Sequence, residues 1–147
     1  MIKETIALIA LLGAVALSGC VGSGLNSAPA EYVKTVSAIE DGPGLQIYFV
    51  LADKDGAMTT SDGTASLKIV QDDYVLLNGK SVNITKSDFQ KRSVGMGNFA
   101  HDVVMFLVGR VPFENMGRTP DKGSGDVIVT FITPEGKRLE GKGTFFI

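Results

Sequence analysis

The 147-residue chain contains one cysteine, one histidine and no tryptophan. These counts exclude a disulfide framework within the chain, a zinc site built from several Cys and His side chains, and a metal centre with two histidines. An excess of positive charge is also lacking, because 14 basic and 16 acidic residues leave a formal net charge of -2. Such a chain has no electrostatic reason to bind a phosphate backbone. We therefore expect no nucleic-acid partner and no bound cofactor.

The N-terminus has the layout of a signal peptide. Lys3 stands in a short polar segment, residues 6–17 form an apolar run, and small residues follow. A helix over these residues would cover about 18 Å at 1.5 Å per residue, well short of the roughly 30 Å hydrocarbon core of a bilayer. The run therefore predicts a targeting segment and not a membrane span. It ends in the four residues Leu17, Ser18, Gly19 and Cys20.

These four residues resemble the lipobox of prokaryotic lipoproteins, in which a leucine, two small residues and a cysteine stand in this order. The resemblance implies that residues 1–19 are removed and that Cys20, the only cysteine of the chain, becomes a lipidated N-terminus. Two acyl chains hold a domain on a membrane far more firmly than one. The resemblance thus implies a lipid anchor at the extracytoplasmic face of the cell membrane. The alternative is a cleaved secretory peptide, or a crude N-terminal anchor, with an incidental cysteine.

The segment that follows has the composition of a tether. Residues 20–30 are rich in Gly, Ser, Ala, Asn and Pro and have few larger apolar side chains. Such a segment buries too little apolar surface to offset the entropy lost on ordering, so we expect it to be flexible. The folded domain is expected over residues 31–147.

Apolar residues in this domain alternate with polar ones, which predicts β-strands. Residues 45–51 and 64–70 each have one apolar face. These faces carry Leu45, Ile47, Phe49 and Leu51 in the first range and Ala65, Leu67 and Ile69 in the second. Residues 103–108, and much of 126–133, are apolar on both faces. We expect them in sheet centres or with an outer face covered, in one case by a partner.

One dipeptide gives the strongest turn signal. Asn78-Gly79 accepts the positive φ values of a two-residue type I′ turn, so we expect a hairpin between residues 73–77 and 81–85. A single helical turn that buries Phe89 is expected over the next few residues, 86–90.

Short strands of this number and spacing predict an antiparallel β-sandwich of about seven or eight strands. A small closed β-barrel is the alternative. The pattern resembles the immunoglobulin-like and fibronectin III-like modules of prokaryotic cell surfaces. The resemblance rests on strand spacing and on a closing hairpin over residues 127–147, in which Pro134 and Gly136 indicate the turn. The Cys-Trp-Cys core of antibody domains is absent.

Two readings remain open for the acidic segment that follows the first predicted strand. Asp53, Asp55 and Asp62 are close enough in sequence to suggest oxygen ligands for a calcium ion. The spacing departs from that of an EF-hand loop, however, and Asp and Gly are also ordinary turn residues. We therefore weigh a calcium site against a plain hairpin turn.

Catalytic and modification motifs are few. His101 and Asp102 are adjacent, but neighbouring side chains of a strand point to opposite faces, and no Gly-x-Ser-x-Gly elbow is present. We expect His101 to be a solvated residue at a strand end, and we predict no catalytic residue. Asn83-Ile84-Thr85 matches the N-glycosylation sequon, although this tripeptide also arises by chance.

A long polar loop is expected over residues 115–126. Its glycines and charged residues suggest that it cannot pack against itself, so it is either a binding loop or a mobile connection. Its candidate binding residues are Arg118, Asp121 and Lys122.

The absence of a catalytic constellation and the doubly apolar strand at 103–108 favour an interaction module. We expect a lipid-anchored β-sandwich that binds another envelope protein or a polysaccharide. The alternative is a ligand-binding or enzymatic lipoprotein with a small-molecule pocket, either between the sheets or under the loop at 115–126. A purely structural envelope component fits the sequence equally well.

Overall fold

The structure is a computed structural model and describes residues 28–147. Within this part of the chain are ten strands: β1 (Tyr32–Glu40), β2 (Gly44–Ala52), β3 (Met58–Thr59), β4 (Gly63–Gln71), β5 (Tyr74–Asn78), β6 (Val82–Ile84), β7 (Phe89–Val94), β8 (His101–Pro112), β9 (Ser124–Ile132) and β10 (Arg138–Phe146). Single 3-10 turns lie at Lys86–Asp88, Gly97–Phe99 and Phe113–Asn115. The signal peptide, the lipobox and most of the tether lie outside the described residues.

The strands form two antiparallel sheets that do not close into a barrel. One sheet has the order β1-β2-β8-β7 with β3 added beside β2, and the other has the order β10-β9-β4-β5 with β6 added beside β4. When the eight longer strands are lettered A, B, C, C′, D, E, F and G along the chain, the sheets read A-B-E-D and G-F-C-C′. This is the strand order of an immunoglobulin-like sandwich. The predicted fold is confirmed. No helix among residues 28–147 is long and apolar enough to cross a membrane.

The core lies between the two sheets and is built from alternate residues of their central strands. The predicted apolar face of β2 is buried at all four positions, and Val127, Val129 and Phe131 of β9 face it from the other sheet. Phe49 lies at the centre, with its ring 5.3 Å from that of Phe106 and 6.1 Å from that of Phe131. Offset and tilted ring pairs at these distances add to the stabilisation from burial.

The outer face of the first sheet carries a second, smaller apolar cluster. Val50, Val103 and Met105 are buried there, and Met58 of β3 packs against them. The backbone N–H of Val104 also points at the sulfur of Met58, at 3.4 Å. β8 is therefore a central strand, as its doubly apolar sequence predicts. Its outer face is covered in part by the chain's own β3.

The predicted Asn78-Gly79 hairpin is wrong. β5 and β6 do not pair with each other, because each pairs with a different part of β4, and the N–H of Gly79 donates to the carbonyl of Leu67 at 2.8 Å. The two-residue turn lies instead between β4 and β5, at Asp72 and Asp73, whose φ values are 52° and 65°. Aspartate tolerates this left-handed region better than most residues.

Two other turn predictions are confirmed. The closing hairpin joins β9 to β10 through Gly136, which has a φ of 87° and donates its N–H to the carbonyl of Thr133. The expected helical turn is the 3-10 segment Lys86–Asp88, and Phe89 after it packs edge-on against Phe49 at 6.3 Å.

The sandwich is closed on one side and open on the other. On the closed side β1 packs directly over β10, where a Cβ atom on Gly143 would lie 2.1 Å from the carbonyl oxygen of Val36. On the open side the edge strands are β7 and the pair β5 and β6. β7 begins opposite Phe106, so residues 107–112 of β8 have no strand neighbour on that side within the described chain.

Candidate functional site

The open side of the sandwich leads into an apolar cleft between the sheets. The cleft has a volume of about 390 Å³. Phe49 and Phe106 of the first sheet form one wall, and Leu67 and Leu77 of the second form the other. Ligand sites in proteins have volumes from about 300 Å³ upward and are lined mainly by apolar side chains. The cleft therefore has the size and the surface of a binding site for an apolar group.

Two valines form the rim of the cleft. Val82 of β6 is 53% exposed and Val108 of β8 is 37% exposed, so each presents apolar surface to solvent beside the entrance. Lys80, in the break between β5 and β6, supplies the one charged side chain of the lining. An occupant would thus meet apolar side chains in the cleft and a single cation at its mouth.

The rim also includes an edge of backbone. The residues of β8 beyond Phe106 pair with β2 alone, and Gly109 lies at a bulge in that pairing with a φ of 98°. Peptide groups on the free side of such a strand point outward and can pair with an added strand. The apolar cleft and this edge lie side by side, because Val108 belongs to both.

The imidazole of His101 and the carboxylate of Asp102 lie outside the cleft. No group of three or more His, Cys, Asp and Glu side chains that could hold a metal ion occurs within residues 28–147. His101 is exposed at the start of β8, with its Nδ1 3.1 Å from the carbonyl oxygen of Phe99. The carboxylate of Asp102 lies 3.8 Å from the ammonium group of Lys91. The two neighbours thus have different partners, and neither lines the cleft.

The three aspartates proposed for calcium serve local turns. The buried carboxylate of Asp53 accepts the backbone N–H groups of Asp55 at 2.9 Å and Ala57 at 3.0 Å, within the turn between β2 and β3. Asp62 accepts the backbone N–H of Lys86 at 2.9 Å, and the side chain of Asp55 is exposed. The geometry supports the plain turn and does not gather the three carboxylates into one cluster.

The loop between β8 and β9, for which a binding loop and a mobile connection were the two expectations, is anchored by the rest of the domain. The buried side chain of Gln71 donates to the carbonyl of Asp121 at 2.9 Å and accepts the N–H of the same residue at 2.7 Å. Met116 and Pro120 of the loop are also buried. The loop is therefore a fixed part of the domain.

The candidate residues of this loop lie at one end of the sandwich, away from the cleft. Arg118 stacks over the ring of Tyr74 at 4.2 Å and lies 3.8 Å from the carboxylate of Asp121, and Lys122 is exposed. The cleft includes none of these three residues, and neither does a smaller cavity beside Thr60 and Lys86 or another beside Ser66 and Glu140. The cleft thus lies between the sheets and not under the loop.

The sequon asparagine, Asn83, is exposed on β6 beside the rim valine Val82. Its position leaves the predicted modification sterically possible. The lipidation site Cys20 and the rest of the lipobox lie outside the described residues.

The cleft itself was not predicted residue by residue. Leu67, Leu77 and Val82 are apolar residues of ordinary strands, and no local signal separates a cleft wall from a sealed core. The useful signal was the run at 103–108, whose apolar residues exceed what one face of a strand can bury.

Comparisons of the chain with protein-family models, with curated proteins and with solved structures find no match.

Proposed function

We propose that this protein is a lipid-anchored, extracytoplasmic interaction module whose β-sandwich binds an extended segment of another envelope protein. The segment adds as a strand along the free edge of β8 and places an apolar side chain in the cleft. The observation that carries the proposal is the position of the cleft beside an unpaired strand edge. Strand addition supplies affinity through main-chain hydrogen bonds, and a neighbouring pocket supplies specificity.

The chemistry of the cleft favours a protein over a polysaccharide as the partner. A sugar buries hydroxyl groups, which must find hydrogen-bond partners when they leave water. The walls offer mainly aliphatic and aromatic side chains, and Ser66 and Lys80 are the two polar residues of the lining. An apolar side chain from a protein segment meets no such penalty.

The membrane anchor is the second part of the proposal, and it rests on the lipobox residues 17–20. Intact mass and membrane fractionation of the full chain, beside Cys20→Ala and the tether control Ser23→Ala, test it. We expect loss of residues 1–19 and the mass of a diacylglyceryl group in the wild type and the control, and neither in Cys20→Ala. A wild-type protein that keeps its N-terminus without lipid contradicts the anchor.

Photo-crosslinking tests the binding site. A photoreactive residue is placed at Val82 on the rim or, as a control, at Val75, an exposed valine of the neighbouring edge strand that does not line the cleft. In intact membranes we expect one protein adduct from position 82 and none from position 75. The charged rim variant Val108→Glu should abolish the adduct, whereas Ile39→Glu, exposed on β1, should not.

A small apolar ligand is the second candidate, because a cavity of about 390 Å³ is large enough for one. Native mass spectrometry of the purified protein separates the two functions. A bound small molecule that Val108→Glu expels favours the ligand, and a protein adduct mapped to an extended segment favours the interaction module. Adducts of equal yield from positions 82 and 75, with an empty cleft, contradict both.

A further inference from the structure

The hairpin between β7 and β8 ends in an exposed apolar tip. Met96 is 84% exposed and Phe99 is 83% exposed, the two largest exposures among the large hydrophobic residues of the described chain. Residues 93–100 around them carry no charge, and the first charged or titratable neighbours are Arg92 on one strand and His101 on the other. Large apolar side chains presented in this way usually mark a contact surface.

The tip is held in shape by its glycines. Gly95 and Gly97 have φ values of 90° and 58°, which favour glycine. A Cβ atom on Gly95 would lie 2.6 Å from the carbonyl oxygen of Phe99, so the loop is closely folded at its base. The 3-10 turn Gly97–Phe99 then directs the loop back into β8. The two apolar side chains are thus displayed by a defined turn.

The tip lies at the end of the sandwich where the described chain begins. β1 starts opposite Ala52, the last residue of β2, and β8 runs antiparallel to β2, so that His101 lies toward the same end. β8 leaves β2 after the pair of Phe49 and Phe106, and the two strands of the hairpin continue together for five further residue pairs. At about 3.3 Å per residue, these five pairs carry the ribbon roughly 17 Å beyond the pair of Phe49 and Phe106.

The chain upstream of the domain therefore leaves from the same end as the tip. Cys20 precedes the first described residue, Ala28, by eight residues. A chain of this length spans about 15 Å on average as a flexible coil and at most about 28 Å when extended. In a domain anchored at Cys20, the tip and the start of β1 would both lie at the end that faces the bilayer.

We propose that the tip of the β7–β8 hairpin is a membrane-contact site that inserts Met96 and Phe99 into the bilayer interface. The proposal rests on the lipid anchor of the proposed function. An uncharged loop can enter the headgroup region without desolvating an ion, and apolar side chains gain free energy there in proportion to the area they bury. The tether and the tip would then fix the orientation of the domain, with the loop at Arg118 pointing away from the membrane.

The absence of tryptophan makes a direct test possible. Two separate variants, Phe99→Trp and Met96→Trp, each place a single tryptophan at the tip of the full lipidated chain, which is studied in vesicles. Phe146→Trp is the matched control, because Phe146 is 71% exposed and lies at the opposite end of the sandwich. We expect blue-shifted emission and quenching by brominated acyl chains at positions 96 and 99, and water-like emission without quenching at 146.

Each other outcome overturns the proposal in a recognisable way. Vesicles that carry the protein while Phe99→Trp and Met96→Trp emit as in water refute the tip and leave the anchor intact. Blue-shifted emission that brominated lipid does not quench means that the tip is covered by protein, either a second copy or a partner. A wild-type protein that does not float with vesicles refutes the anchor and the tip together.

Discussion

Replacement of Gly143 by alanine tests the closed side of the sandwich. A Cβ atom at this position would lie 2.1 Å from the carbonyl oxygen of Val36 and 2.8 Å from its carbonyl carbon. These are backbone atoms, so no change of rotamer relieves the contact. β1 and β10 must move apart by about 1 Å, and a gap of that size removes a quarter to a half of the dispersion energy of each facing atom pair.

The expected cost follows from two opposing effects. Overpacking of this kind destabilises a domain by about 1–3 kcal/mol, whereas the loss of glycine's freedom in the unfolded chain stabilises it by about 0.4–1 kcal/mol. The difference between the two effects leads us to expect Gly143→Ala to lower the free energy of unfolding by about 1–1.5 kcal/mol. For a domain of this size the melting temperature should fall by roughly 4–6 °C.

Urea denaturation followed by far-ultraviolet circular dichroism measures this change. Gly79→Ala is the control, because its Cβ would lie 3.3 Å from the nearest backbone oxygen and its φ is not positive, so we expect a change below about 1 kcal/mol. The additional substitution Val36→Ala should not rescue Gly143→Ala, since the obstructing atoms belong to the backbone. Equal midpoints for Gly143→Ala and the wild type would refute the close packing of β1 on β10.

Three further substitutions test the core and the loops. Phe49→Ala removes the ring at the centre of the aromatic cluster and should cost about 3–5 kcal/mol of unfolding free energy in the same urea assay. Gln71→Ala leaves the backbone of Asp121 without its side-chain partner, so the free energy of unfolding should fall by about 1–3 kcal/mol. The Asp121 amide should also lose protection from hydrogen exchange, and unchanged exchange would contradict the anchored loop. Asp53→Ala should lower the free energy of unfolding by about 1–2 kcal/mol through two lost hydrogen bonds. Added calcium should raise the melting temperature of neither this variant nor the wild type. A calcium-dependent rise for the wild type alone would support a calcium site at Asp53.

The alternation of apolar and polar residues was enough to predict which faces of the central strands are buried. The alternation over 45–51 and 64–70 identifies the buried face of β2 and β4 because each residue of a strand turns its side chain to the face opposite its neighbours. The double apolar character of 103–108 correctly marks β8 as a central strand for the same reason.

The pairing of the edge strands was not predictable from local sequence. Asn78-Gly79 is a good turn sequence, but the nine-residue strand β4 is long enough to pair with β5 near Ile69 and with β6 near Thr64, so the chain continues along β4 without turning back. Which strand a segment joins depends on partners far away in sequence, and the turn moves with it.

The sites depend on the same long-range geometry. The cleft exists because β7 starts opposite Phe106 and leaves residues 107–112 of β8 without a strand neighbour on that side. No local sequence feature of β7 or β8 predicts where this pairing starts. The loop at 115–126 is fixed by Gln71, a partner 50 residues away from Asp121. The tip residues Met96 and Phe99 are visible in the sequence as apolar residues between glycines, but their exposure follows from where the hairpin ends.

The attachment of β1 also determines how the domain responds to force. Eight residue pairs align β1 with β2, the hydrogen bonds of this antiparallel ladder run perpendicular to the strands, and β10 covers β1 from the other sheet. A pull on the chain ahead of Tyr32, resisted by a partner held at the far end of the sandwich, acts along the axis of β1. It shears all these bonds together and does not open them one at a time. The first strand would therefore serve as a mechanical clamp between the tether and the rest of the domain.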